Sequence, residues 1–450
     1  MQGDGCEMNG SSEATSAPVL QTAKQAEETR VRWTWTEPAV WTDRMLTALE
    51  TGVKGDAWFS LMDKVYASGN LKAAFARAKS NQGAPGVDRQ TIAMFEARLA
   101  ENVERLEESL RNGTYRPQAV LRTYIPKPGS RERRPLGIPT VRDRVVQGAL
   151  RNVLEPIFER EFAEHSYGFR PRRGCKDALR RVDALLKAGY TYVVDADLKS
   201  YFDTIPHQRL MEHIGRKVSD GKVLALIRQF LEQGILEGMS FWTPEEGTPQ
   251  GAVISPLLSN IYLDPLDHLM AREGFAMVRY ADDFVILCRS AEEAQRALDL
   301  IRRWTNEAGL TLHPEKTRIV NSLETGFEFL GYHFVKHRRF PRRKSLAKFK
   351  AAIRAKTHRN NGHGLSQIID NVNRTLRGWF EYFKHSHPSP FRDLDGWLRG
   401  RLRNILRRRQ HRRGRASGAD HHRWPNAFFA EQGLYSLVTA HATACQSSRR

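Results

Sequence analysis

The chain has 450 residues, 71 Lys and Arg against 51 Asp and Glu, a net charge of +20, and a hydrophobic fraction of 40%. At roughly 100–200 residues per domain this allows about two to four domains and a sizeable core, which excludes a wholly disordered basic tail. The charge calls for a polyanionic partner, nucleic acid before anionic membrane, and no apolar run approaches the ~20 residues of a membrane helix.

In chain order, residues 1–40 read as a disordered leader. Met1 to Glu28 is rich in Gly, Ser, Ala, Gln and Glu and lacks the basic start and apolar stretch of a secretion signal. The cysteines (Cys6, Cys175, Cys288, Cys445) are scattered without a C-x-x-C pair, which points to a reduced cytoplasmic protein. A helix is predicted over 56–80, with Trp58, Leu61, Met62, Val65 and Tyr66 on one side. Asn81–Gly86 is a loop, and 91–112 is an acidic helix ended by Asn112-Gly113. Tyr124–Gly129 opens a basic hairpin that closes near Arg134–Pro139. Helices follow over 141–163 and 175–188, joined by the loop His165–Arg170. Tyr190–Leu198 reads as a strand, Met277–Leu287 as two apolar strands around a polar turn, and Phe327–Phe334 as a third strand signal. Helices over 221–233, 255–272 and 291–308 lie between them, so the fold class is α+β, a mixed sheet with helices on one face.

The charge is concentrated. Residues 336–415 hold 24 Lys and Arg against 4 Asp and Glu, and the rest of the chain holds 47 of each. Within that segment Ile369, Val372, Leu376, Trp379 and Phe383, then Leu398, Leu402 and Leu406, recur at helical spacing. Amphipathic helices with a packed face and a basic face fit better than a tail.

The carboxylates carry the chemistry. Tyr280-Ala281-Asp282-Asp283-Phe284 puts two adjacent Asp at the tip of an apolar hairpin. Such charge is costly without compensation, and a divalent cation is the natural one. Asp197, in Asp197-Leu198-Lys199-Ser200-Tyr201-Phe202-Asp203, ends another apolar strand. Three carboxylates meeting across adjacent strands can hold two metal ions roughly 3.5–4 Å apart. Oxygen ligands without nearby His or Cys favour magnesium, Mg2+. Asp195 and Asp203 are alternatives to Asp197, and spacing does not separate Asp195 from Asp197 because the two share a strand face by period two. Lys127 and Arg134 in the basic hairpin suit a triphosphate. Pro249-Gln250-Gly251 before Ser255-Pro256 suits close approach of backbone to a ligand.

These segments, in this order, resemble the group II intron-encoded reverse transcriptase/maturase family, in a form lacking the C-terminal H-N-H endonuclease domain. YADD is similar to the family's catalytic hairpin, DLKSYFD to its first catalytic motif, and PQGAVISPLLSNIYL to the segment over the nucleotide pocket. GLTLHPEKT and FEFLGYHF resemble later palm motifs; KPGSRERRPLGIP and HSYGFRPRRGC resemble fingers motifs. The resemblance runs from about residue 56 to 440. It implies a right-hand polymerase whose fingers and palm carry an antiparallel sheet, followed by an α-helical thumb, domain X. The implied divisions are an N-terminal extension over 41–90, fingers and palm over 91–335, the thumb over 336–415, and a small DNA-binding tail over 416–450.

The resemblance also supplies roles. Asp197, Asp282 and Asp283 become the ligands of two Mg2+ ions, with Asp197 chosen over Asp195. Phe202 becomes the gate against a ribose 2′-OH, implying dNTPs. Gln250 lines the nucleotide and template pocket, Lys127 and Arg134 hold the triphosphate, and Lys316 is the general acid near the pyrophosphate. Arg342, Arg343, Lys344, Lys348, Lys350, Arg354, Arg403 and Arg407 are the expected RNA-binding residues of the thumb. Partners are the group II intron RNA and target or primer DNA, with no membrane, and a homodimer is compatible. The expected activity is RNA-directed DNA polymerisation with assistance to splicing and retrohoming in the bacterial cytosol or nucleoid. His421–Asn426 is too short for a nuclease domain, so no DNA endonuclease is expected. Other readings are a retron or defence-associated reverse transcriptase, and a splicing-only RNA-binding protein. The intact Asp triad and the basic thumb segment weigh against these.

Overall fold

The structure, a computed structural model, describes residues 28–126, 133–412, 414 and 418–447. The leader reading fails for residues 28–40, because Trp33 and Val40 are buried in the main core beside Trp41, Leu46 and Leu49. Tryptophans at 33 and 35 supply apolar area that the polar composition of the segment hides. Residues 1–27 lie outside the described residues. The helix expected over 56–80 is two, Met62–Tyr66 and Ser68–Asn81, broken where Ala67 turns extended at ψ 127°. The helix expected over 91–112 likewise divides into Ile92–Glu96 and Leu99–Arg111.

Eleven strands form three sheets among the described residues. In chain order they are β1 (Val120–Pro126), β2 (Arg133–Ile138), β3 (Tyr192–Asp197), β4 (Ile235–Glu237), β5 (Ser240–Trp242) and β6 (Ala276–Tyr280). Then come β7 (Asp283–Cys288), β8 (Arg318–Asn321), β9 (Phe327–Phe329), β10 (Tyr332–Val335) and β11 (Arg338–Pro341). The fingers sheet has the order β2-β1-β4-β5, antiparallel except that β1 and β4 pair in parallel. The palm sheet, β6-β7-β3-β8, is antiparallel throughout.

Both faces of the palm sheet are covered, which corrects the one-face expectation. Val194, Ala196, Phe284 and Ile286 join the core that includes helices Ser255–Arg272 and Ala291–Glu307. Val193, Val285, Leu287 and Val320 join a second core with helix Cys175–Lys187 and the β9–β11 sheet. Side chains alternate across a strand, so burial on both faces turns β7 into an unbroken apolar run. By the same alternation Asp195, Asp197 and Asp283 share the face of Val193 and Val285, toward the small sheet.

The strand signal over Phe327–Phe334 is a hairpin. β9 and β10 pair antiparallel, with Leu330 at φ +46° and Gly331 at φ +84° in the two-residue turn. β10 and β11 form a second hairpin through Lys336 and His337, again at positive φ.

The thumb is built on helices Arg343–Lys356, Leu365–Phe383 and Ser389–Arg409. Ile369, Val372, Leu376, Leu398 and Leu402 fill its core as their spacing requires. Phe383 instead packs into the core beneath the palm, and Trp379 touches both cores, so this helix ties thumb to palm. Trp424, Phe429 and Leu437 share the thumb core, so the described part of 416–450 packs onto the thumb.

Candidate active site

Register places the carboxylates. Asp197 on β3 lies directly opposite Asp283 on β7, and Asp283 opposite Tyr280 closes the β6–β7 hairpin around Ala281 and Asp282. Residues facing each other across an antiparallel pair have side chains ~5 Å apart. The tip is held in place from outside. Gly168 presses on it so closely that a Cβ there would meet the Ala281 amide nitrogen at 2.2 Å. Tyr167 donates its N–H to the Arg279 carbonyl at 2.9 Å, and Arg279 donates its own to His165 at 3.0 Å.

Beneath the tip, Arg279 is wholly buried. Its guanidinium bonds both oxygens of Asp267 at 2.5–3.0 Å, Asn260 Oδ1 at 3.0 Å and the Ala281 carbonyl at 2.9 Å. Asn260 in turn donates to the Gly168 carbonyl at 2.8 Å. Sequence reasoning missed this cluster. The available signal was a charged residue inside an apolar strand, which requires a buried partner.

The charges act on one another. Burial raises the Asp283 carboxyl to about 7, helped by the negative charges of Asp195, Asp282 and Asp197 and opposed by Arg342. Burial raises Asp195 to about 6, opposed by Arg318 at 3.6 Å. Asp282 is also raised, first by burial, with Asp197 adding and Arg134 and Arg279 opposing. Lys316 Nζ meets Asp197 Oδ2 at 2.5 Å. The loop carrying Lys316 is pinned there because His313 donates its N–H to the Asp197 carbonyl at 2.7 Å.

Among the described residues, no three His, Cys, Asp or Glu side chains converge tightly enough to hold a metal ion as they stand. Asp197 is turned onto Lys316 instead. The donor set nevertheless fits a divalent cation, since burial and neighbouring carboxylates raise Asp195, Asp282 and Asp283 and a hard cation would relieve that charge cost.

The expected nucleotide residues are gathered unequally. Arg134 lies in β2, close enough for its charge to act on Asp282. Phe202 and Asp203 line a cavity of about 310 Å³ with Arg122, Trp242 and Thr248. Gln250 Nε2 donates to Asp203 Oδ2 at 3.3 Å, and its carbonyl accepts from the Gly137 N–H at 2.6 Å. Gly251 sits at φ +108°, with the Gly137 carbonyl only 2.4 Å from where a Cβ would be, so this loop docks on the fingers sheet only as glycine. Asp203 thus belongs to the cavity, and Asp195 to Arg318. Lys127 lies outside the described residues.

In the thumb, Arg343, Lys344, Lys348 and Arg354 are exposed. Lys350, Arg354 and Arg401 surround the Trp397 ring at 5.5–5.8 Å. Arg342 sits at the palm junction, 3.9 Å from Glu328. Two RNA-binding expectations are corrected. Arg403 is buried, donating to the Trp424 carbonyl and to Asn426 Oδ1, each at 2.9 Å. Arg407 is paired with buried Asp420 at 2.7 Å. Both therefore fasten the C-terminal helices. Phe380 is core, and the Tyr382 hydroxyl donates to the Leu330 carbonyl at 2.7 Å.

A hairpin-tip Asp pair facing a third Asp, flanked by fingers and a basic helical thumb, defines a nucleic-acid polymerase. Comparison with known proteins agrees. Residues 125–334 match the family model described as reverse transcriptase (RNA-dependent DNA polymerase), and residues 346–424 match the group II intron, maturase-specific domain. Protein YkfC of Escherichia coli is 36% identical over 300 residues, 58% of this chain and 78% of that one. Group II intron-encoded protein LtrA of Lactococcus lactis is 42% identical over 196 residues, 43% of this chain and 32% of LtrA. An uncharacterized 91 kDa protein in the cob intron of Schizosaccharomyces pombe is 30% identical over 319 residues, 57% of this chain and 39% of that one. The chain thus spans about a third of LtrA's length.

The chain is an RNA-directed DNA polymerase with a maturase domain. It belongs to the group II intron-encoded reverse transcriptase/maturase family. Among the described residues, no helix is long and apolar enough to cross a membrane.

Proposed function

We propose that this protein binds its group II intron RNA through the thumb, assists splicing, and copies the intron into cDNA from dNTPs during retrohoming in the bacterial cytosol. The observation that carries the reading is the facing of Asp197 and Asp283 beside Asp282 at the hairpin tip. Asp197, Asp282 and Asp283 would hold two Mg2+ ions, which supply Lewis acidity to the primer hydroxyl and to the leaving pyrophosphate. The protein's own groups do the remainder. Arg134 binds the triphosphate. Phe202 walls the sugar side of the pocket and excludes a 2′-OH. Lys316, already on Asp197, donates a proton toward the pyrophosphate. Gln250 is steadied by Asp203 and lines the nucleotide and template side.

The test is primer extension on an RNA template with Mg2+. Asp282→Ala with Asp283→Ala is expected to abolish extension and to spare intron splicing. Continued extension by that double variant would sink the site assignment. Phe202→Ala is expected to admit rNTPs; free rNTP use by the wild type would remove the gate.

A further inference from the structure

A cavity of about 460 Å³ lies between the N-terminal segment and the loop His165–Arg170, within the ~300–1,000 Å³ of ordinary ligand sites. It is lined by the aromatic rings of Trp35 and Phe169, by Arg77, Arg151, Arg172 and Glu155, and by Pro256. None of these residues has a part in the polymerase chemistry above.

Phe169 is unusual in two respects. It holds φ at +59°, a left-handed conformation costly for a bulky side chain, and it is 44% exposed. An exposed ring gains little from core packing to offset that cost. Backbone strain of this kind clusters where a ligand is clamped. Phe169 follows directly on Gly168, which presses against Ala281, so the loop that carries the ring also touches the catalytic hairpin tip.

The opposite wall is built deliberately. Arg172 donates to the Val31 carbonyl at 3.1 Å, the Arg32 carbonyl at 3.2 Å and the Thr34 hydroxyl, and so holds the segment that presents Trp35. The Trp35 ring is half-buried and braced on Trp33 at 5.6 Å. Arg77 is exposed and bonds neutral Asn152 Oδ1 at 2.7 Å, with no ion pair to a carboxylate among the described residues. Arg151 pairs with Glu155 at 2.6 Å. The cavity therefore offers two aromatic faces and an excess of positive charge.

We infer that this pocket receives an unpaired base of the RNA template strand, stacked on Phe169 and Trp35 with its phosphate at Arg77. Stacking tolerates any base, and arginines track a backbone, which is the chemistry of sequence-neutral single-strand binding. Position selects the template. Pro256 lies in the first turn of the helix that follows the Pro249–Gly251 loop, and Gly168, next to Phe169, packs against Ala281 of the hairpin tip, so the pocket shares a helix and a loop with the polymerase site, where a template base lies unpaired before it is copied. The inference rests on the polymerase reading of that site.

The experiment measures affinity of the full chain for RNA–DNA duplexes with a blunt end, a short 5′ RNA overhang, the same overhang made abasic, or a 3′ RNA overhang. The 5′ overhang is expected to bind about tenfold tighter than the blunt duplex, and the abasic one to lose most of that gain. Trp35→Ala and Phe169→Gly are each expected to bring the ratio to about twofold, whereas Trp35→Phe and Phe169→Tyr keep it. Glycine suits a φ of +59°, so Phe169→Gly removes the ring without straining the fold, and its melting temperature serves as the control. An unchanged ratio in both truncations, no preference in the wild type, or equal preference for the 3′ overhang overturns the inference. Primer extension on the same duplexes reads the polymerase function separately, so loss of one does not imply loss of the other.

Discussion

Arg279 closes on both Asp267 oxygens, on Asn260 and on the Ala281 carbonyl with no part of itself exposed to solvent. Removing one partner of such a pair leaves a buried charge uncompensated and costs ~3–5 kcal/mol. Because the same guanidinium holds the hairpin tip, a structural loss here becomes a catalytic one. Asp267→Asn is expected to lower the melting temperature by several degrees and to slow primer extension at least tenfold, about 1.4 kcal/mol of lost positioning. Wild-type values for both would show the pair to be dispensable. The contrast with the Asp residues explains what can be seen before folding. Asp282 and Asp283 stand out because acid at the tip of an apolar hairpin requires compensation, and the family resemblance singles out Asp197 from Asp195. Arg279 sits in the same run, yet its partner is on a helix twelve residues earlier, and nothing local names it. Gly168 meets Ala281 across more than a hundred residues, and such a contact has no signature in spacing.

Helix Ser255–Arg272 carries a second test through Asp264. Burial raises this carboxyl to about 6, with Asp267 adding to the shift and His268 at 3.3 Å opposing it. The ordinary Asp value is about 3.9, so the folded state favours the protonated form. Its stabilising contribution is complete below pH 4 and is lost as pH rises through 6. Two units amount to ~3 kcal/mol at most, and partial exposure reduces this to about 1–2 kcal/mol. Asp264→Asn is therefore expected to melt above the wild type at pH 8 and level with it at pH 4; a gap independent of pH would refute the shift. At this scale the elements with clear periodicity were legible. Helices 255–272 and 291–308 and the β6–β7 hairpin fall within a residue or two of expectation. The failures share a cause. β8 is four residues long and edge-placed, β9 and β10 are split by one tight turn, and the break at Ala67 is marked only by Ser68-Gly69, which the next helix absorbs into its first turn. Short elements and turns set by tertiary contact leave little pattern in the chain.

For the molecule as a whole, the +20 net charge divides the labour between a charge-balanced polymerase body and a basic thumb. Not every basic residue of the thumb faces outward, and the structure separates two groups that look alike in sequence. Arg403 is 2% exposed and spends its donors on Trp424 and Asn426, with the Phe429 ring 5.2 Å away. Lys348 and Arg354 are exposed on helix Arg343–Lys356, and no carboxylate among the described residues forms an ion pair with either. Hydrogen bonds from a charged group to buried acceptors are worth ~1.5–3 kcal/mol, so Arg403→Met is expected to lower thumb stability by about that much. It neutralises no phosphate, and the salt dependence of RNA binding should keep its slope. Lys348→Gln with Arg354→Gln should do the reverse. Each phosphate contact contributes roughly 0.7–0.9 to the slope of log K against log salt, so the slope should fall by about 1.4–1.8 while the melting temperature holds. Binding of the intron RNA, titrated across a range of potassium chloride alongside thermal melts, separates the two. If Arg403→Met flattened the salt dependence, or the double variant left it intact, the basic face of the thumb would have been assigned to the wrong residues.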